Sequence, residues 1–347
     1  MGGSAGAGSV GLHLTAYGGR DDGLFVGAFG DALFYPTSNN QTFSQYQYDQ
    51  FATSAGCGSA SDTLACLRSA PVEALLTAAD INNAYPGQAL SSRYIWTPVV
   101  NDDFIQALPL QLYQNGQFVR VPLIVGDVLD EGTVFANDAL DAAGVSAFMS
   151  ANYPLLSSSN LTTINELYPP TTVFPLRNLY YSSSAAAYGE ATFKCPGYLI
   201  GSSMAAAGLT SQVWQYNFTQ SVPIIVAAGF GVAHNSDLGA LFGGSAGNST
   251  GFFDIEDNIT NAVLYQSFGN INILSSTIEM SYLISFIRSL DPNAFKASVA
   301  PQWDPTFASG TPQQVQIQNV GSQMQPIDPG LISRCHFWWD LIEQIRQ

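Results

Sequence analysis

The chain has 347 residues, of which 46% are hydrophobic and 12% aromatic, so its composition excludes a disordered protein. Its net charge of -16, with lysine only at positions 194 and 296, excludes a nucleic-acid-binding protein, because no basic patch can neutralise phosphates. No apolar run reaches about 18 residues, so no membrane-spanning helix is predicted.

The first motif in chain order is Gly2-Gly3-Ser4-Ala5-Gly6. It matches G-x-S-x-G, a sharp strand-to-helix turn that holds a serine hydroxyl outward, with glycines because a side chain would clash there. A flexible glycine-serine leader is the alternative interpretation, but the small and apolar residues 5–17 predict the helix that the turn requires. Since only two residues precede the motif, we expect the strand that leads into it, and the regions before that strand, to be missing from this chain.

Hydrophobic patterning predicts the remaining elements of a single domain spanning residues 1–347. Strands are predicted at 24–29, 121–125, 212–218, 313–320 and in the apolar run 222–228. Helices are predicted at 42–55, 61–67, 72–82, 145–152, 162–167, 179–193, 274–290 and 332–345. Short strands separated by helices predict an α/β fold with a mostly parallel sheet.

Cysteines and glycosylation motifs indicate an oxidising, extracellular location. Cys57 and Cys66 bracket a short polar loop and are expected to pair locally, which leaves Cys195 and Cys335 as a long-range pair. Four free thiols are the alternative, and no cysteine or histidine spacing fits a metal site. Five N-x-S/T sequons occur, at Asn40, Asn160, Asn217, Asn248 and Asn258.

A serine nucleophile needs a histidine base and a carboxylate that orients it, in the chain order serine, acid, histidine. Of the three histidines, His234 follows the predicted strand 222–228 and a glycine loop, where this kind of sheet places its base, whereas His13 and His336 are expected to pack structurally. The acid follows the strand 121–125. Patterning leaves three candidates for it, which are Asp127, Asp130 and Glu131.

Motifs spread along the chain resemble the type-B carboxylesterase/lipase family, which includes cholinesterases and secreted fungal esterases and lipases. The matching segments are residues 2–10, 57–68, 126–135, 193–196, 214–218, 229–237 and 335–338. The resemblance implies an α/β-hydrolase fold, disulfides Cys57–Cys66 and Cys195–Cys335, and hydrolysis of small-molecule or lipid esters without metal or cofactor. It assigns Ser4 as nucleophile, Glu131 as acid, His234 as base and the Ala5 N–H as oxyanion donor.

The chain departs from the family pattern at two places. The family carries a supporting serine one strand after the nucleophile, and Asp31-Ala32 occupies that position here. The family's N-terminal portion, with its first strands, a disulfide-closed lid loop, the glycine-rich oxyanion loop and the signal peptide, has no counterpart. We therefore expect the chain alone to be poorly soluble, because the missing strands would leave an unpaired sheet edge and uncovered apolar surface. We also expect it to be at best weakly active, because the loss of one oxyanion donor costs about 10²–10³ in rate.

The acyl pocket is expected to be aromatic, and the candidates for its lining are Phe29, Trp96, Phe104 and Phe230.

Two other functions compete with ester hydrolysis. One is a non-catalytic extracellular binding module, and the other is another serine acyl transferase or peptidase on the same fold.

Overall fold

A computed structural model describes residues 1–79, 90–242 and 273–347. Its centre is a six-stranded sheet in the order β1-β2-β3-β4-β5-β6, in which all neighbours are parallel except β5 and β6. The strands are β1 Gly2–Gly3, β2 Ala28–Asp31, β3 Leu123–Val128, β4 Val213–Phe218, β5 Gln313–Ile317 and β6 Gln323–Pro326. The predicted α/β architecture with a mostly parallel sheet is confirmed.

Helices fill the long connections that parallel strands require. They are α1 Ala5–Gly19, α2 Gln41–Ser54, α3 Thr63–Ser69, α4 Val72–Ala79, α5 Pro109–Gln114, α6 Ala142–Asn152, α7 Ser158–Leu167, α8 Tyr181–Gly189, α9 Cys195–Met204, α10 Pro223–Ala227, α11 Leu238–Leu241, α12 Ile273–Ser289, α13 Pro329–Asp340 and α14 Ile342–Ile345. Local chemistry sets several starts, because Asn40, Asp62, Asp141, Ser157 and Asp328 accept hydrogen bonds from first-turn amides.

The sheet is buried on both faces, as a parallel sheet must be. Leu123 and Val125 of β3 point into one apolar core, which α1, α6, α9 and α13 complete. The alternate residues Ile124 and Val128 point into a second core that includes Trp214 of β4 and the inner face of α12. Because alternate side chains of one strand point to opposite faces of the sheet, β3 packs against the helices on both sides of it.

Three predicted elements differ from the structure. The strand predicted at 24–29 begins only at Ala28, where pairing with Leu123 begins, and Leu24 and Val26 remain exposed. The run 222–228 forms α10 instead of a strand, because Pro223 occupies the first helical turn, where proline favours a helix. The helix predicted at 332–345 is divided into α13 and α14, and residues 80–82 of the helix predicted at 72–82 lie outside the described residues.

Both disulfides that the resemblance implies are present. Cys57–Cys66 closes a loop with a sequence separation of 9, whereas Cys195–Cys335 joins α9 to α13 across a separation of 140.

The two disulfides should contribute unequally to stability, because a cross-link that closes a longer loop removes more entropy from the unfolded chain. Replacing Cys195 and Cys335 together by alanine should lower the free energy of unfolding by about 5 kcal/mol, and replacing Cys57 and Cys66 by about 2.5 kcal/mol. Urea titration of the two double variants measures both values. Equal losses, or a larger loss for the short loop, would contradict this loop-entropy explanation.

Candidate active site

Ser4 occupies a strained turn between β1 and α1. Its backbone angles are φ 55° and ψ -121°, a conformation that non-glycine residues rarely adopt. Backbone hydrogen bonds hold the turn, among them those from Ser4 N–H to the carbonyl of Asp31 at 2.8 Å and from Gly8 N–H to the carbonyl of Ser4 at 3.0 Å. Strain that surrounding structure maintains in this way is typical of functional turns.

The glycines of the motif have different roles. A Cβ at Gly2 would lie 2.3 Å from the carbonyl carbon of Gly6, so the turn requires glycine there. A Cβ at Gly6 would meet nothing within 4 Å outside its own helix, so the expectation that a side chain clashes there is wrong for Gly6. At Gly8, a Cβ would lie 2.2 Å from the carbonyl oxygen of Phe34, which shows how closely α1 approaches the segment after β2.

Glu131 and His234 form a buried pair. His234 Nδ1 lies 2.5 Å from Glu131 Oε2, and Val128 N–H donates to Glu131 Oε1 at 2.8 Å. Glu131 is 1% exposed and His234 is 6% exposed. Because both carboxylate oxygens have fixed partners, the carboxylate is oriented to accept a hydrogen bond from Nδ1–H of the imidazole.

Two neighbouring carboxylates, Asp127 in β3 and Asp130 in the loop after it, point elsewhere. Asp127 accepts from Asn217 Nδ2 and lies 3.6 Å from Lys194 Nζ. Burial raises the pKa of Asp127 to about 6, although the positive charge of Lys194 opposes this shift. Asp130 Oδ2 accepts from Val232 N–H at 2.8 Å, and burial raises its pKa as well. Asp130 thus joins the loop that carries Glu131 to the segment that carries His234.

His234 lies between α10 and α11, in the connection that follows β4. Its Nε2 is buried and makes no hydrogen bond with any described residue, so the expected bond to the Ser4 hydroxyl is absent from this structure. The turn at Ser4 and the segment after His234 nevertheless lie side by side, since a Cβ at Gly3 would be 3.7 Å from Leu238 Cδ2. Catalytic hydrogen bonds are often long before substrate binds.

The aromatic residues beside this site are not those expected from the sequence. The centroid of the His234 ring lies 4.7 Å from that of Phe193 and 5.0 Å from that of Phe135. Phe34, whose N–H donates to the carbonyl of Ser4 at 3.4 Å, packs on Phe193 at 5.4 Å. We call Phe34, Phe135 and Phe193 the aromatic wall, since together they connect the turn at Ser4 to His234.

The four aromatic residues expected to line an acyl pocket pack against other groups. Phe29 stacks on Tyr216, Trp96 packs on Phe51, Phe104 contacts His13 and Tyr17, and Phe230 lies under Arg177. Among the described residues none of the four has a ring contact with His234. A sequence signal for the aromatic wall did exist, because Phe135 and Phe193 lie inside two segments that resemble the family.

Several other predicted residues lie on the surface or elsewhere in the fold. His13 and His336 are exposed, each against the edge of one aromatic ring, so the expectation that they are packed is wrong. Asn217 is 6% exposed in β4 and its Nδ2 bonds to Asp127, so this nitrogen cannot carry a glycan in the folded protein. Asn40 and Asn160 remain accessible, and Asn248 and Asn258 lie outside the described residues.

Comparisons with known proteins give consistent results. The sequence profile described as the carboxylesterase family matches residues 1–338. Secreted lipase 1 of Botryotinia fuckeliana is 27% identical over 332 residues, which are 88% of this chain and 52% of that protein. Lipase 1 of Geotrichum candidum is 27% identical over 354 residues, covering 94% of this chain and 56% of that protein.

A solved structure shares the architecture. Superposition on EstA of Aspergillus niger gives a TM-score of 0.87 at 34% sequence identity, covering 99% of this chain and 64% of that one. The chain spans about half the length of the curated relatives it matches. None of the helices in the described parts of the chain has the length and hydropathy needed to cross a membrane.

Proposed function

Because this chain belongs to the carboxylesterase family and has the α/β-hydrolase fold, we propose that it hydrolyses carboxylic esters through Ser4, Glu131 and His234. The observation that carries the proposal is the buried pair of Glu131 Oε2 and His234 Nδ1, 2.5 Å apart, together with a serine held in a strained turn. A histidine whose Nδ1 is held by a carboxylate keeps its Nε2 available to accept a proton.

The proposed reaction proceeds through an acyl-enzyme. Ser4 Oγ attacks the acyl carbonyl while His234 Nε2 takes the hydroxyl proton, and ionised Glu131 stabilises the imidazolium. The N–H of Ala5, which has no acceptor within α1 because it lies in the first turn, donates to the oxyanion. The imidazolium then protonates the departing alcohol. A water molecule, activated by the same imidazole, releases the acid, and the cycle needs no metal or cofactor.

The aromatic wall supports the proposal that the acyl group of the substrate is apolar. Phe193, which is 1% exposed, and the half-buried Phe135 place their rings against the imidazole of His234, and the half-buried Phe34 packs on Phe193. Two curated relatives are described as secreted lipases, which supports an extracellular location for this protein too.

We further propose that residues 1–347 belong to a single domain, because one continuous sheet connects the first strand to the last.

The second candidate is a catalytically impaired or non-catalytic binding module of the same family. The observation that favours it is the missing hydrogen bond between Ser4 Oγ and His234 Nε2. A binding module would keep the fold and the two disulfides but would not need an activated serine.

A fluorophosphonate separates the two candidates, because it reacts covalently with a serine only where a neighbouring base activates the hydroxyl. We expect one equivalent to label the protein, and peptide mapping to place the adduct on Ser4. Ser9→Ala is the matched control, since Ser9 is an exposed α1 serine whose hydroxyl donates to the carbonyl of Ala5. A folded protein that takes up no label would instead support the binding module.

A further inference from the structure

A row of four residues crosses the sheet beneath the nucleophile turn. The register pairs Gly3 with Asp31, Asp31 with Gly126, and Gly126 with Tyr216. A Cβ at Gly126 would lie 1.8–2.2 Å from atoms of the Tyr216 ring, so the ring lies directly over Gly126. The absence of a side chain at Gly126 therefore allows Tyr216 on β4 to reach Asp31 on β2.

Tyr216 Oη lies between two buried carboxyl groups. It is 3.1 Å from Asp31 Oδ1 and 3.0 Å from Asp237 Oδ2. Asp31 is 1% exposed and Asp237 is 0% exposed. A phenol has one proton and can donate to only one carboxylate, and Asp31 and Asp237 also lie within hydrogen-bond reach of each other. A second proton, held by one of the two carboxyl groups, would therefore complete the hydrogen bonds among the three side chains.

We propose that Asp31, Tyr216 and Asp237 form a buried proton-sharing relay that positions the Ser4 turn against the segment carrying His234. This inference rests on the proposed ester hydrolysis for its functional meaning. The carbonyl of Asp31 accepts from Ser4 N–H, and Asp237 follows His234 by three residues. The relay therefore joins both halves of the site through side chains. None of its members touches the reacting atoms, so all three are positioning residues.

The charges around the relay explain why one proton is retained. Glu131 and Asp127 from β3 and its following loop, and Glu279 from α12, all face the pair, while Lys194 pairs with Asp127. Burial, and then the charge of Asp237, hold the pKa of Asp31 well above its usual range. Burial, and then Glu131, raise the pKa of Asp237 as well. Without the proton, two adjacent carboxylates would face each other and Glu131 out of contact with water.

The first test detects the proton retained by the relay through the pH dependence of stability, without an activity assay. A carboxyl whose pKa is raised in the folded state binds a proton that the unfolded chain loses above about pH 4, so stability falls as pH rises towards the folded pKa. As the pH rises from about 4 towards the folded pKa, the unfolding equilibrium constant of the wild type should rise about tenfold more per pH unit than that of Asp31→Asn. If urea titrations gave the same pH dependence of the unfolding equilibrium constant for the wild type and for Asp31→Asn, the relay would be overturned.

Infrared spectroscopy provides a second readout of the same proton. The wild type at neutral pH should show the C=O band of a protonated carboxylic acid, and the band should lose one carboxyl's intensity in both Asp31→Asn and Asp237→Asn. Either amide can donate to Oη, which leaves the remaining carboxyl ionised. Glu190→Gln is the control, because Glu190 accepts two hydrogen bonds from Arg334 and is not a member of the relay. A band that neither relay variant reduces would contradict the shared proton.

The positioning role is tested by removing the bridging hydroxyl. Tyr216→Phe should lower kcat about tenfold with little change in KM, since it misaligns the site without altering the substrate's surroundings. Asp31→Asn should retain more activity than Asp31→Ala, because an amide can replace the protonated carboxyl. Tyr282→Phe is the matched control, as its hydroxyl bonds to the carbonyl of Pro301 in the same core. Equal effects of the two tyrosine variants would refute the positioning role.

These experiments separate the relay from the proposed function. If no ester is hydrolysed but the pH slope and infrared band behave as expected, the relay stands and the hydrolase proposal fails. If esters are hydrolysed in a Ser4-dependent manner while both proton readouts are unchanged in the Asn variants, the hydrolase proposal stands and the relay fails.

Discussion

Replacing Ser4 by alanine should lower kcat for a chromogenic acetate or butyrate ester by about 10⁴–10⁶-fold, with KM changed much less. Alanine cannot form the acyl-enzyme, so only uncatalysed attack by water near the remaining groups would continue. The backbone strain at φ 55° is the same for alanine as for serine, so the fold should be preserved. Steady-state kinetics on the purified variant, with its urea midpoint measured in parallel, checks both expectations.

Ser9→Ala is again the matched control for this experiment. Ser9 lies on the exposed side of α1, one turn beyond Ser4, and bonds only to the carbonyl of Ala5. Its replacement should leave kcat within about twofold of the wild type. Ester turnover that survives in Ser4→Ala would show that another group is the nucleophile, whereas a wild type without turnover on any ester would favour the binding module.

Replacing Glu131 by glutamine should lower kcat by about 10³–10⁴-fold. Val128 N–H holds Oε1, so the amide nitrogen of the introduced glutamine would face His234 Nδ1 in the place of Oε2. The amide would then donate to Nδ1 and move the imidazole proton to Nε2, where it blocks acceptance of the serine proton. The neutral amide also removes the charge that stabilises the imidazolium. The ester assay used for Ser4 measures this loss.

Asp130→Asn provides the comparison for Glu131→Gln. Asp130 is a neighbouring carboxylate of the same loop, but its Oδ2 accepts from Val232 N–H, and among the described residues the imidazole of His234 is hydrogen-bonded to Glu131 instead. Asparagine keeps an oxygen for that bond, so a loss of less than about tenfold is expected. If Asp130→Asn lost as much activity as Glu131→Gln, the loop's conformation and not the Glu131 charge would be responsible.

The local elements of this fold could be predicted because their causes are local. Small residues after Ser4 indicated α1, and residue patterning indicated helices at 42–55, 145–152 and 162–167, which the structure shows as α2, α6 and α7. The run 222–228 was misinterpreted because hydrophobicity alone does not distinguish a buried strand from a short helix. Pro223, at the start of that run, was the local signal that favoured the helix.

The sequence by itself determined the α/β class, the serine motif and the order of candidate serine, acid and histidine along the chain. Periodicity could not choose among Asp127, Asp130 and Glu131, because all three follow the same strand. Only the tertiary structure decided that Glu131 contacts His234, that Phe135 and Phe193 flank the imidazole, and that Tyr216 crosses Gly126 to reach Asp31. Each of these contacts joins residues far apart in the chain, and the sheet register and helix packing that bring them together depend on the whole core.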